Sequence, residues 1–101
     1  MKGRTPNKQE KEWMNSARDV GCIACIVSGE ITPYEVPAEH TAIHHINGKT
    51  KEGAHLETIP LCGWHHQTGY DAIHGYKKEF ISQYGREEFL LKRVRAIVKV
   101  S

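Results

Sequence analysis

Cysteine and histidine fall in short-spaced pairs in this chain. Two residues separate Cys22 from Cys25, and two separate Cys62 from His65. Zinc takes four thiolate or imidazole ligands in a tetrahedron, and a two-residue gap lets two side chains of one tight turn converge on one ion. Three Cys and one His form a closed structural set, and this set uses every cysteine of a chain that has an odd number of them, 3. The alternative is three buried thiols and a surface histidine, but two matched pairs in so short a chain favour zinc. The polar opening MKGRTPNKQEKE is unlike a secretory signal. The expected location is therefore the reducing cytoplasm, where thiols ligate metal rather than pair.

All 7 histidines lie between His40 and His74. With His65 assigned to zinc, His40, His44, His45, His55, His66 and His74 remain. Neighbouring helical residues point about 100° apart, so a His65 facing zinc turns His66 elsewhere, toward the preceding hairpin. Neighbouring strand residues face opposite sides. One of His44 and His45 can therefore share an ion with His66 while the other faces a substrate. His40 and His55 read as surface residues or as supports behind the ligands.

A short set of elements must hold these groups. The chain has 101 residues, enough for one domain, and 39% hydrophobic residues, a core too thin to stand without a staple such as an ion. Asn7 can cap a helix over Lys8–Val20 that Gly21 ends. Its apolar side is Trp13, Met14, Ala17 and Val20. Residues 21–25 make a tight turn bearing two thiols, and 26–39, with Gly29, Pro33 and Pro37, read as loop or irregular edge strand. Strands are expected over 41–46 and 56–61, joined through Asn47-Gly48 and a longer loop. A helix start follows at Cys62 and is cut short near Gly69, with Trp64 as core or hairpin cover. Two further helices span 76–84, with Phe80 and Ile81 inward, and 86–98, with Phe89, Leu90, Val94 and Ile97 on one face. The fold class is α+β. A knuckle, a hairpin and a helix start, clamped by one zinc in a treble-clef arrangement, are flanked by N- and C-terminal helices.

Charge is segregated. Residues 1–11 carry Lys2, Arg4, Lys8 and Lys11 against Glu10, and 92–101 carry Lys92, Arg93, Arg95 and Lys99 with no acid, so the middle is acidic. Basic ends suit a polyanion and an acidic middle suits cations, although solvated tails would look the same. Lys49 and Lys51, in the 48–53 loop, either touch phosphates or are solvated. No window reaches the roughly 20 apolar residues of a membrane helix.

The order Cys-x-x-Cys, His-His-Ile, Ile-Pro-Leu-Cys-x-x-His-His resembles the HNH (His-Me finger) endonucleases, which have a ββα-metal core. The segments GCIAC, AIHHI, TIPLCGWHHQTGYDAIHG and EFISQYG with EEFLL are similar to the phage-type recombination enhancement function (Ref) nucleases, over roughly residues 20–91. Charge sets off a basic N-terminal segment, 1–11, and the resemblance makes the rest, 12–101, a single HNH nuclease domain. It makes His44 a ligand of a catalytic ion and His45 the general base. It makes His66 a second ligand and His74 the candidate third, with Asp71 in reserve. His66 and His74 are eight apart, about 12 Å on a straight helix, so the chain must bend between them, and Gly69 permits it. The middle Asn of the superfamily has no clear counterpart; Asn47 and Glu57 lie nearest.

The implied reaction is metal-assisted hydrolysis of DNA phosphodiesters, with Mg²⁺, Mn²⁺ or Zn²⁺ as the working ion beside a structural zinc. The implied setting is phage or bacterial recombination and repair, on DNA coated by a RecA-type filament. DNA contacts would come from Lys2, Arg4, Lys8, Lys11, Lys49, Lys51, Lys92, Arg93 and Arg95. A competing class is a non-catalytic zinc module that binds DNA or protein. That class has no use for His44, His45 and His66 beside the zinc set.

Overall fold

The computed structural model describes residues 5–48 and 52–100. Lys2, Arg4, Lys49 and Lys51 lie outside the described residues. Helix α1, Lys8–Val20, forms where its cap predicts. The Asn7 side chain accepts from Glu10 N and the Glu10 carboxylate accepts from Asn7 N, both at 2.8 Å. This reciprocal pair satisfies two otherwise orphaned donors. Gly21, at φ 97°, ends the helix in a conformation that few side chains tolerate. Ala17 and Val20 are buried, and half-buried Trp13 donates to Thr58 Oγ1 at 3.0 Å.

The expected tight turn at the first cysteine pair is instead a short helix, α2, Ile23–Val27. Cys22 caps it, its sulfur accepting from Cys25 N at 3.5 Å. Ile23 and Ala24 are fully buried, so the turn is held by core packing as well as by its thiols. A loop then leads through one 3-10 turn, Ala38–His40, into strand β1, Thr41–His45.

β1 pairs antiparallel with β2, Thr58–Cys62, in the register Thr41↔Cys62 to His45↔Thr58. These two strands make the sheet. In a two-stranded sheet, Pro60 can turn its missing N–H to the outer edge, which reconciles a proline with a strand. The hairpin connection contains Gly48 at φ 76° and a 3-10 turn, Ala54–Leu56, so Asn47-Gly48 opens a long loop rather than a two-residue turn.

After β2 the chain makes a wide π-type turn, Trp64–Thr68. It then doubles back through residues 69–75 and enters α3, Lys77–Tyr84. Helix α4, Glu87–Val100, packs on α1, α2 and β2. The core joins Ile23, Ile59, Leu61, Phe80, Leu90 and Val94, all with no exposed surface.

Two packing expectations are corrected. Phe89 is 52% exposed, and Leu91 is buried in its stead. Leu90, Val94 and Ile97 define the inward stripe, and Phe89 lies about 100° to one side of it. Trp64 is 48% exposed rather than core, and its ring stacks edge-on against Tyr70. It also covers Gly69, where a Cβ would lie 2.5 Å from the indole and 2.7 Å from the Trp64 carbonyl oxygen. That close approach, not an unusual φ, is why glycine stands at the bend.

Candidate metal centres

α2, the end of β2 and the π-type turn bring Cys22, Cys25, Cys62 and His65 together. His65 Nδ1 lies 3.5 Å from Cys22 Sγ, 3.4 Å from Cys25 Sγ and 3.2 Å from Cys62 Sγ. Cys25 Sγ and Cys62 Sγ are 3.9 Å apart, far beyond a disulfide bond. Tetrahedral zinc bonds imply edges of about 3.8 Å between sulfurs and about 3.6 Å between sulfur and nitrogen, so the four groups could hold one such ion. Burial pushes the Cys22 thiol up to about 11, and burial with the neighbouring thiols pushes Cys25 further. A bound cation would reverse this and hold them as thiolates.

A relay behind the cluster prepares its imidazole. His65 Nε2 donates to Tyr84 Oη at 2.9 Å, and Tyr84 donates to Asp71 Oδ2 at 2.6 Å. Burial and the hydrogen bond to Asp71 push the Tyr84 hydroxyl upward, which keeps it a donor. Burial lowers His65, against the raising pull of Asp71 and Glu30. The imidazole is thus neutral, with its proton on Nε2 and its Nδ1 lone pair facing the three sulfurs. Asp71, the reserve for the other cluster, is committed here. Replacing Tyr84 with Phe is expected to weaken metal retention at this cluster about 10–100-fold with the fold intact. Competition with a chromophoric chelator measures this, and unchanged affinity would reduce the hydroxyl to filling space.

The second cluster is His44, His66 and His74, whose ligand atoms lie within 4.8 Å of one another. The eight-residue gap between His66 and His74 is closed by backbone pairing. Ile73 N donates to His65 O at 2.8 Å, and His74 N donates to His66 O at 3.1 Å. The doubled-back chain sets the two rings side by side, with their Nε2 atoms 3.1 Å apart. Two imidazole nitrogens on one ion at about 2.1 Å are separated by about 3.0–3.4 Å. The His44 ring centroid lies 5.7 Å from that of His66 and 5.1 Å from that of His74. Burial, then the neighbouring His74 and His44, lower His66 below the ordinary histidine value, which leaves its lone pair available at neutral pH.

Strand alternation separates the adjacent pair. His44 is 7% exposed and turns to His66, His74 and α4. His45 turns the other way, its Nε2 lying 3.0 Å from His55 Nδ1. Both line a cavity of about 320 Å³ with Ile43, Gly48, His66, Gln67 and His74.

One participant escapes sequence reasoning. Buried Glu87, at the start of α4, accepts from His44 Nε2 at 2.8 Å and from Lys77 Nζ at 3.1 Å. Burial raises its carboxyl, but the His44 and Lys77 hydrogen bonds outweigh this and hold it below the usual range. His55 is 6% exposed beside His45, whereas His40 stays at the surface. Asn47 and Glu57 bond each other, Nδ2 to Oε1, at 3.1 Å.

Lys8 and Lys11 are exposed on α1, so a boundary at residue 11 falls inside that helix. Lys92, Arg93 and Arg95 are exposed on α4, and Arg95 also donates to Leu56 O at 3.4 Å. No helix among the described residues is long and apolar enough to cross a membrane.

Among the described residues, a small α+β fold brings together one Cys/His cluster and one all-histidine cluster beside a cavity, and each could hold a metal ion. The sequence matches the family described as recombination enhancement, RecA-dependent nuclease over residues 6–99. The chain belongs to that family, and membership gives it a nuclease role in recombination.

Proposed function

We propose that this protein is a metal-dependent DNA endonuclease of the HNH (His-Me finger) type, with a zinc-bound treble-clef, ββα-metal core. The observation that carries the reading is the all-histidine cluster in one cavity with His45, distinct from the Cys₃His set. A module that only binds needs the sulfur cluster and nothing more.

In this reading the Cys22, Cys25, Cys62 and His65 set holds a structural zinc. His44, His66 and His74 hold the catalytic ion, Mg²⁺, Mn²⁺ or Zn²⁺. Glu87 accepts the Nε2 proton of His44, which fixes the ring and leaves Nδ1 for the ion. When bound, that ion supplies positive charge to the scissile phosphate and the leaving 3′ oxygen. His45, as the base, takes a proton from the attacking water. The products carry 5′-phosphate and 3′-hydroxyl ends.

Affinity comes from phosphate contacts by the basic ends, and targeting from a RecA-type filament, a reading supported by the words RecA-dependent in the family description. Supercoiled plasmid incubated with Mg²⁺ or Mn²⁺ should be cut in a metal-dependent way, and more so when a recombinase filament coats the DNA. Zinc-loaded, DNA-binding protein that cuts under none of these conditions would be a binding module instead.

The basic N-terminus makes a separate test. Because the Asn7 cap and the first turn of α1 lie within 1–11, charge removal is cleaner than deletion. Changing Lys2, Arg4, Lys8 and Lys11 to Gln should make the slope of log K against log salt shallower by as much as about 3–4. The cleavage rate at saturating DNA should not change. An unchanged slope would make this end a solvated tail.

A further inference from the structure

We infer that His55 positions the base His45, fixing its tautomer and holding its ring during proton transfer. The inference rests on the reading of His45 as base. His55 lies outside the His-His pair, ten residues along the hairpin loop, and only the fold brings it back.

Its backbone is braced from two sides. Gly53, at φ 77°, opens the 3-10 turn Ala54–Leu56, which Leu56 N closes on Gly53 O at 3.0 Å. Thr58 Oγ1 donates to His55 O at 3.3 Å, and Trp13 Nε1 donates to Thr58 Oγ1 at 3.0 Å. Strand β2 and helix α1 thus both fix the turn. The residue is 6% exposed, and its ring meets His45 edge-on, with centroids 5.1 Å apart and planes at 81°.

At 3.0 Å, one of the two nitrogens donates and the other accepts. Only one choice serves catalysis. If His55 Nδ1–H donated to His45 Nε2, a neutral His45 would carry its proton on Nδ1 and have no lone pair left for water. If His45 Nε2–H donates to His55 Nδ1, the lone pair of His45 is on Nδ1, ready to accept. His55 is then the acceptor, with its own proton on Nε2. During the reaction a water proton passes to His45 Nδ1 and the water oxygen bonds phosphorus. The P–O3′ bond breaks, and the leaving oxygen takes a proton from solvent. The Nε2–H of His45 stays on His55 throughout, and this bond becomes charge-assisted as imidazolium forms. It is the arrangement by which a buried acceptor orients a catalytic histidine elsewhere, here with imidazole in place of carboxylate.

Two measurements test this on the full-length, zinc-loaded protein. In ¹⁵N-histidine spectra, His45 should carry its proton on Nε2, with coupling across the hydrogen bond to His55 Nδ1. A proton on His45 Nδ1, or no coupling, overturns the assignment whether or not the protein cuts DNA. In plasmid cleavage, His55→Leu should lower kcat about 10–100-fold, with KM and bound metal unchanged. His55→Asn, whose amide oxygen can stand where Nδ1 stands, should recover most of the rate. In a His45→Ala background, His55→Leu should change nothing further. Equal losses in Leu and Asn variants, a loss in KM alone, or an additive effect on top of His45→Ala would each overturn the positioning role. Full cleavage by His45→Ala alone would instead remove the base reading beneath it.

Discussion

Replacing Cys25 with serine is expected to yield a chain that neither holds zinc nor folds. The chain has 101 residues and its core joins short elements, with Cys22 and Cys25 themselves inside it. A structural zinc contributes on the order of 10 kcal/mol to folding, whereas a whole domain is stable by about 5–15 kcal/mol. Serine supplies no thiolate, so the ion is lost, and buried Cys22 and His65 then face half-buried Cys62 without a cation. Elemental analysis with circular dichroism reads both losses together. Chelation of the wild-type protein should reproduce them. Zinc uptake should release protons, because burial holds Cys22 and Cys25 as neutral thiols until the ion arrives. The sign follows: zinc affinity rises with pH. A Cys25→Ser protein that is folded and zinc-free would contradict the structural role.

Much of this arrangement is legible from local chemistry. The cap at Asn7 and the stop at Gly21 bound α1, and β-branched runs around two matched ligand pairs locate the hairpin. Strand alternation alone separates His44 from His45. Local chemistry does not reach the contacts that close over distance. Glu87 looks like an ordinary acidic residue in the first turn of a helix, favoured there by the helix dipole. Its bond to His44 spans 43 residues and exists only because α4 packs against the sheet. Tyr84 and Asp71 meet His65 through the same kind of closure. His74 is the intermediate case. The need for a bend at Gly69 is readable, but the backbone pairing that returns His74 to His66 is not. His55 is half legible, since a histidine in this loop reads as surface or as a support, and only the bonds through Thr58 and Trp13 show it held inward.

Exchange of each histidine of the 44–45 pair for alanine should give two different kinds of inactive protein. His45→Ala should lose about 10²–10⁴ in cleavage rate, the usual worth of positioned proton transfer, while folding, zinc content and DNA binding persist. It holds no ion in this account, so added metal cannot restore it. His44→Ala and His66→Ala each remove a ligand and leave the base in place. Mass action then permits partial recovery as the ion concentration rises. Plasmid nicking measured against Mn²⁺ concentration for the three variants, beside the wild type, is the most direct test of the division between metal and base. The curves should climb with Mn²⁺ for His44→Ala and His66→Ala, and stay flat and low for His45→Ala. A His45→Ala curve that climbs while that of His44→Ala stays flat would invert the two roles, and wild-type cleavage by all three would contradict the nuclease centre itself.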